Sequence, residues 1–345
     1  MEKKHRGKCW LAVGILLLAA ALLFAIPSAV TAVSSLSGRR QLLFPADSLQ
    51  DAFSQTQEGL EQLEDSLPSP EPVTPEPPAE PAVSGGPEGS IAPEEAEAID
   101  ELIDSFGGGV SVYYKSLTEG DTYSYAANTE YYIASVVKAP YALYAYQLAD
   151  AGALDLSQEY TFQSRHWQGG SKYFQRKDIG KKYTMGQLLE YTIRYSDNNA
   201  FKIVREEVSV DGFKQFVRTL GLERENCMDA LTAGSGIRGN ISAHDAGIIA
   251  EKIYQYMEGD SPNAGKLKED MLHTEQPMLQ SSYPMARKLG SWEDAMHDVA
   301  IIYAPEPYVL AVCTNRGHTY DSWYTDADYD IFIKISAMVE ALSQN

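Results

Sequence analysis

Apolar and polar positions divide the chain into stretches of different texture. An unbroken apolar run from Cys9 to Ile26 has the length of a helix that crosses a bilayer core. The spacing Leu49, Phe53, Leu60, Leu63, Leu67 then predicts a short amphipathic helix with a weak tendency to self-associate. Beyond Pro93 the periodicity becomes regular. Alternation predicts strands at Gly109 to Lys115 and Thr122 to Tyr125, around a turn at Thr118-Glu119-Gly120-Asp121. The middle has helical spacing: a run from Ser135 to Leu148, then Met185, Leu188, Leu189 and Thr192, and later Ile248, Ile249 and Ile253. Strand signals return at Val299 to Tyr303 and Tyr308 to Thr314, and Ile331, Ile335, Met338 and Leu342 share one closing helical face. Strands at both ends of one region must meet in one sheet. The pattern therefore predicts an α+β fold, a mostly antiparallel sheet with terminal helices against it and a helical insertion, the cleft lying between sheet and insertion.

Charge divides the same chain differently. The 345 residues carry 28 Lys+Arg against 48 Asp+Glu, a net charge of −20, which opposes any broad contact with phosphate backbones, so no nucleic-acid partner is expected. Residues 1 to 40 hold six bases and one acid, whereas residues 41 to 93 hold ten acids and no base. Nine of the 26 residues from Pro68 to Pro93 are proline, a composition that favours an extended, solvated spacer. Four divisions follow: a basic cytoplasmic tail (1–8), a transmembrane anchor or signal segment (9–33), an amphipathic and Pro/Glu-rich extracellular stalk (34–93), and a globular domain (94–345). Lys3, Lys4, Arg6 and Lys8 outnumber Arg39 and Arg40, so the positive-inside bias predicts a single-pass membrane protein with its domain on the extracytoplasmic side. A signal peptide cleaved near Val30-Thr31-Ala32, with secretion, is the alternative. Cys9, Cys227 and Cys313 lack metal-ligand spacing, so neither metal nor cofactor is expected, while a Cys227 to Cys313 bond stays open.

Three short motifs carry the chemistry. Ser135 opens a predicted helix, near free backbone N–H groups, and Lys138 lies one turn on along the same face. A hydroxyl is a poor nucleophile without a base, and a desolvated lysine beside another cation can serve as that base; a helix cap with a solvated lysine is the plainer reading. Ser196, Asp197 and Asn198 follow 61 residues after Ser135. They are either a polar helix terminus or a working group in which Ser196 relays a proton, Asp197 braces the turn and Asn198 offers its amide to substrate and to Lys138. Lys288, Leu289, Gly290 and Ser291 enter the late strands. There Lys288 would neighbour Ser196 and depress the lysine base, Gly290 would let substrate backbone approach, and the Ser135 and Ser291 N–H groups would form an oxyanion hole.

In order and spacing these motifs resemble those of class A β-lactamases and penicillin-binding serine transferases. The likeness covers nearly all of residues 94 to 345. It implies a five-stranded sheet, an all-helical insertion, a monomeric catalytic domain, and a substrate that is a β-lactam or a peptidoglycan-like peptide amide and acylates Ser135.

Two positions depart from the family pattern. The Glu-x-x-Leu-Asn loop that activates the deacylating water is not found; the matching stretch, Leu222 to Ile241, is shorter and offers Glu223, Glu225 and Asp229. Leu289 replaces the usual Thr or Ser, a loss of one hydrogen bond to a charged group worth ~1.5–3 kcal/mol. Ser291 or a protonated His297 could compensate, His297 falling near the place where relatives hold a carboxylate-binding cation; a surface strand-edge histidine is its other reading. Pro140 is expected to bend the nucleophile helix. The leading expectation is thus a membrane-anchored, class A-type serine hydrolase that deacylates slowly. A D-alanyl-D-alanine peptidase of the cell wall, or a catalytically weak binding module of the same fold, is the alternative.

Overall fold

The computed structural model describes residues 91–342, apart from 170, 224–238, 276 and 318–324. Helix α1 (Pro93–Asp104) leads into the hairpin β1 (Val110–Ser116) and β2 (Thr122–Tyr125), then a short β3 (Tyr131–Tyr132). A single 3₁₀ turn, Ala134–Val137, runs directly into α2 (Lys138–Asp150). The insertion follows: β4 (Glu159–Thr161), β5 (Lys182–Thr184), α3 (Met185–Arg194), α4 (Asn198–Glu207) and α5 (Val210–Val217). The chain returns through β6 (Asn240–Ile241), α6 (Ala243–Met257) and α7 (Ala264–Leu272). It closes with β7 (Met285–Trp292), β8 (Ala295–Ile302), β9 (Tyr308–Thr314) and α8 (Asp326–Leu342).

The main sheet has the order β2-β1-β9-β8-β7, and every pair in it is antiparallel. The late strands read as unbroken apolar runs because both faces of the sheet are covered. On β9, Val309, Ala311 and Cys313 pack into the core shared with the helical insertion, while Tyr308, Leu310 and Val312 pack under α1 and α8. The α+β architecture matches the hydrophobic pattern, and β2 and β9 have the predicted limits.

Local chemistry sets the helix starts around the site. Thr184 Oγ1 accepts from Gln187 N while the Gln187 side chain accepts from Thr184 N, a reciprocal cap that begins α3. Asp197 Oδ1 accepts from the backbone of Asn199 and Ala200 and so begins α4. Pro140 is the third residue of α2, within the first turn, where proline is tolerated, so its position does not require the expected bend.

The expectation of a membrane tether is corrected. No helix among the described residues is long and apolar enough to cross a membrane. The apolar run 9–26, the stalk and the helix expected from Leu49 to Leu67 lie outside the described residues. The membrane partner and the single-pass location find no support among the described residues and are not carried further.

Candidate active site

The three motifs converge at one end of β7. Ile133 N donates to Gly239 O at 3.0 Å and β3 pairs with β6, which anchors the segment entering the Ser135 turn. Ala134 turns the chain through a positive φ of 47°. From the other side β7 presses on the turn. A Cβ on Gly290 would stand 2.8 Å from Val136 N and 2.9 Å from Ser135 N, so only glycine admits this approach. Gly290 thus makes room for the backbone of the Ser135 turn, and not for that of a substrate.

Lys138 is fully buried, and its Nζ is the hub of the site. It lies 3.1 Å from Ser135 Oγ, 2.6 Å from Ser196 O, 3.2 Å from Ser196 Oγ and 2.7 Å from Asn198 Oδ1. Lys288 Nζ reaches the same Ser196 Oγ at 2.9 Å and donates to Leu289 O at 2.8 Å. Burial, then the Lys288 charge, hold the Lys138 amine well below its ordinary range. Burial, helped by Arg287, brings Lys288 down to about 7, against the opposing pull of Asp298. Ser196, between the two amines, has a φ of 51°, a left-handed conformation that side chains seldom adopt.

A cleft of about 250 Å³ opens over Ser135, lined also by Tyr132, Gln168, Asn198, Arg205 and Ser291. Among the described residues its lining includes no Asp or Glu. The Ser291 hydroxyl is buried and has no hydrogen-bond partner among the described residues. A loop rims the site and is pinned to the second motif: Gln168 N donates to Asn199 Oδ1 at 2.7 Å, and Ser171 Oγ donates to Asp197.

The structure thus brings together Ser135, Lys138, Ser196, Asn198, Lys288, Gly290 and Ser291, with Asp197 in the turn beneath. His297 is not with them. It is fully buried opposite Gly290, accepts from Thr314 N at Nδ1 and stands 2.8 Å from Tyr132 O through Nε2. Burial lowers it to about 4, so it is a neutral internal strut and neither a carboxylate-binding cation nor a surface histidine. Glu223 is exposed, its backbone N donating to Asp245 Oδ1, and Glu225 and Asp229 lie outside the described residues. Sequence reasoning missed Arg205 and Asn199. Arg205 follows Asn198 by seven residues, and that helical spacing was the available signal.

Comparison with known proteins agrees with this geometry. The Beta-lactamase enzyme family matches residues 94–341, and the chain belongs to that family. The β-lactamase SME-1 of Serratia marcescens is 26% identical over 128 residues, 36% of this chain and 43% of that protein, so the match spans less than half of the relative. Among solved structures, a PBP-A mutant captured as an acyl-enzyme complex with penicillin G superposes with a TM-score of 0.60 at 20% identity, covering 73% of this chain and 96% of that one. A β-lactamase from Chitinophaga pinensis gives a TM-score of 0.61 at 20% identity, covering 73% and 100%. The fold is that of the β-lactamase and penicillin-binding serine hydrolases. Identities at this level define the family and do not assign the chain to class A.

Proposed function

We propose that the chain is a serine acyl-transfer enzyme of the penicillin-binding type, a D-alanyl-D-alanine peptidase acting on peptide amides of the cell wall. The observation that carries this reading is the arrangement around Lys138. Ser196 O and Asn198 Oδ1 can only accept hydrogen bonds, and both lie within reach of Nζ. A neutral amine has two N–H bonds and one lone pair. Spending both on those carbonyls leaves the lone pair for Ser135, and the lowered basicity of Lys138 favours that form.

Acylation then runs in two steps. Ser135 Oγ bonds to the substrate carbonyl carbon as its proton passes to Lys138 Nζ, and the oxygen gains negative charge facing the Ser135 and Ser291 N–H groups. The C–N bond breaks as Ser196 hands a proton to the departing amine and is reprotonated from Lys138. Lys288, donating to Ser196 Oγ, holds the relay in line. Asn198 and Ser291 shape the wall along which the substrate lies. Acylation is thereby provided for, while no described carboxylate lines the cleft to activate water. That favours a long-lived acyl-enzyme over fast β-lactam turnover.

A fluorescent penicillin tests this on the full chain. Wild type should take a covalent label that is stable over minutes, and Ser135→Ala should take none. Wild type should also release D-alanine from a peptide ending in D-Ala-D-Ala. Absence of label on wild type would place the chain with the catalytically weak members of the fold.

A further inference from the structure

One tyrosine of the loop that rims the cleft, between β4 and β5, grips the turn of the second motif. The Tyr173 ring lies 3.8 Å from that of Tyr195 and within 28° of parallel to it, and Tyr195 is the residue before Ser196. At its far end the Tyr173 hydroxyl donates to Glu275 Oε1 at 2.6 Å, an oxygen that Lys172 Nζ also reaches at 3.3 Å. The Tyr173 hydrogen bond holds the Glu275 carboxyl below its ordinary value, so the acceptor is ionised at neutral pH. Glu275 is itself tied to two motifs. Its backbone N donates to Arg194 O at 2.9 Å, next to Tyr195, and its carbonyl accepts from Arg287 Nη2 at 3.3 Å, next to Lys288. The near end of Tyr173 is fastened as well. Tyr173 N donates to Ser171 Oγ at 3.2 Å, and Ser171 Oγ donates to Asp197.

Ser196 needs a hold of this kind. Its left-handed φ of 51° persists only where the surroundings over-determine it, and its hydroxyl has to meet two amines at once. We infer that Tyr173 is a positioning residue for the Ser196 proton relay: its ring, laid on Tyr195 and anchored through Glu275, fixes the turn from which Ser196 reaches Lys138 and Lys288. A displacement of about 1 Å in such a group can cost ~10²-fold in rate, so a contact outside the cleft has leverage on the chemistry. Tyr173 is absent from the cleft lining, which separates this role from substrate binding. The inference rests on the acyl-transfer reading for the relay, but the hold on the turn can be measured without catalysis.

Two measurements on the full chain test it. Hydrogen exchange reads the turn directly, since Asp197 N donates to Tyr191 O while Asn199 N and Ala200 N donate to Asp197 Oδ1. In Tyr173→Ala these amides should exchange about 5-fold faster or more, with β8 and β9 unchanged. Acylation by saturating fluorescent penicillin should slow about 10-fold, while equilibrium binding of penicillin in a Ser135→Ala background stays within about 2-fold. Tyr173→Phe keeps the ring and loses the anchor, so it should recover part of the rate and match Glu275→Ala. Combining Tyr173→Phe with Glu275→Ala should cost no more than either alone, because both remove the same hydrogen bond. Wild-type exchange at 197–200 in Tyr173→Ala overturns the inference, as does faster exchange with an unchanged acylation rate, or strictly additive losses in the double variant. If wild type takes no label the peptidase reading fails by itself, and exchange alone then decides whether Tyr173 holds the turn.

Discussion

Ser196 concentrates several costs in one residue. It holds a left-handed φ of 51°, and its hydroxyl stands between two amines, 3.2 Å from Lys138 and 2.9 Å from Lys288. A non-glycine residue in that region costs about 1–2 kcal/mol, a strain that the surrounding contacts must hold in place. Ser196→Gly separates the two roles. It relieves the backbone strain and removes the hydroxyl, so the thermal midpoint should stay level or rise while acylation by penicillin falls about 10²-fold or more. Calorimetry paired with the labelling rate checks this, and a midpoint lower by several degrees would count against the strain argument. His297 makes a related point about single residues. Its chemistry allows a cation, but with Nδ1 accepting from Thr314 N and burial on every side it serves as a neutral strut to Tyr132 O.

Two elements meet at the site with almost nothing between them. Strand β7 and the 3₁₀ turn bearing Ser135 approach until the missing Gly290 side chain is all that separates their backbones. This contact positions the Ser135 and Ser291 N–H groups relative to each other. Gly290→Ala would put a methyl against backbone nitrogens that cannot rotate away. The expected outcome is a loss of about 1–3 kcal/mol in stability by denaturant titration, together with slower acylation as the turn is displaced. Asp197 works at the same scale from the opposite side. By capping α4 it fixes where that helix starts, and with it the reach of Asn198 into the cleft.

Across the whole molecule, buried titratable groups shape stability in two opposite directions. Lys288 has a folded value near 7 against an ordinary 10.5, so between these limits the unfolded chain binds more protons and stability rises with pH. Tyr113, Tyr114 and Tyr131 are pushed up to about 12, chiefly by burial. Above the ordinary tyrosine value of 10.0 the unfolded chain ionises first, and stability falls again. Unfolding measured from pH 7 to 11 should therefore pass through a maximum near pH 9 to 10. Lys288→Met should make the rising limb shallower, Lys138 supplying the remainder, and leave the falling one unchanged.

Much of this molecule follows from its primary structure. The alternation at 122–125, the short unbroken apolar run at 308–314 and the helical spacing around Leu188 and Ile249 predict strands and helices, because each pattern buries apolar surface best in its own geometry. The motif residues point to the proposed chemistry, because only a few side chains can act as nucleophile, base and relay. Other properties arise only when distant segments pack. The basicity of Lys138 depends on burial and on Lys288, which is 150 residues away in the chain. His297 could be assigned to the cleft or the surface by position, and only the paired strands β7, β8 and β9 enclose it. Arg205 enters the cleft because α4 begins at Asp197 and not a residue earlier or later, each step of one residue turning the helix by about 100°. Local pattern is written in neighbouring residues, whereas desolvation and the direction of a side chain are set by whatever the fold places beside them.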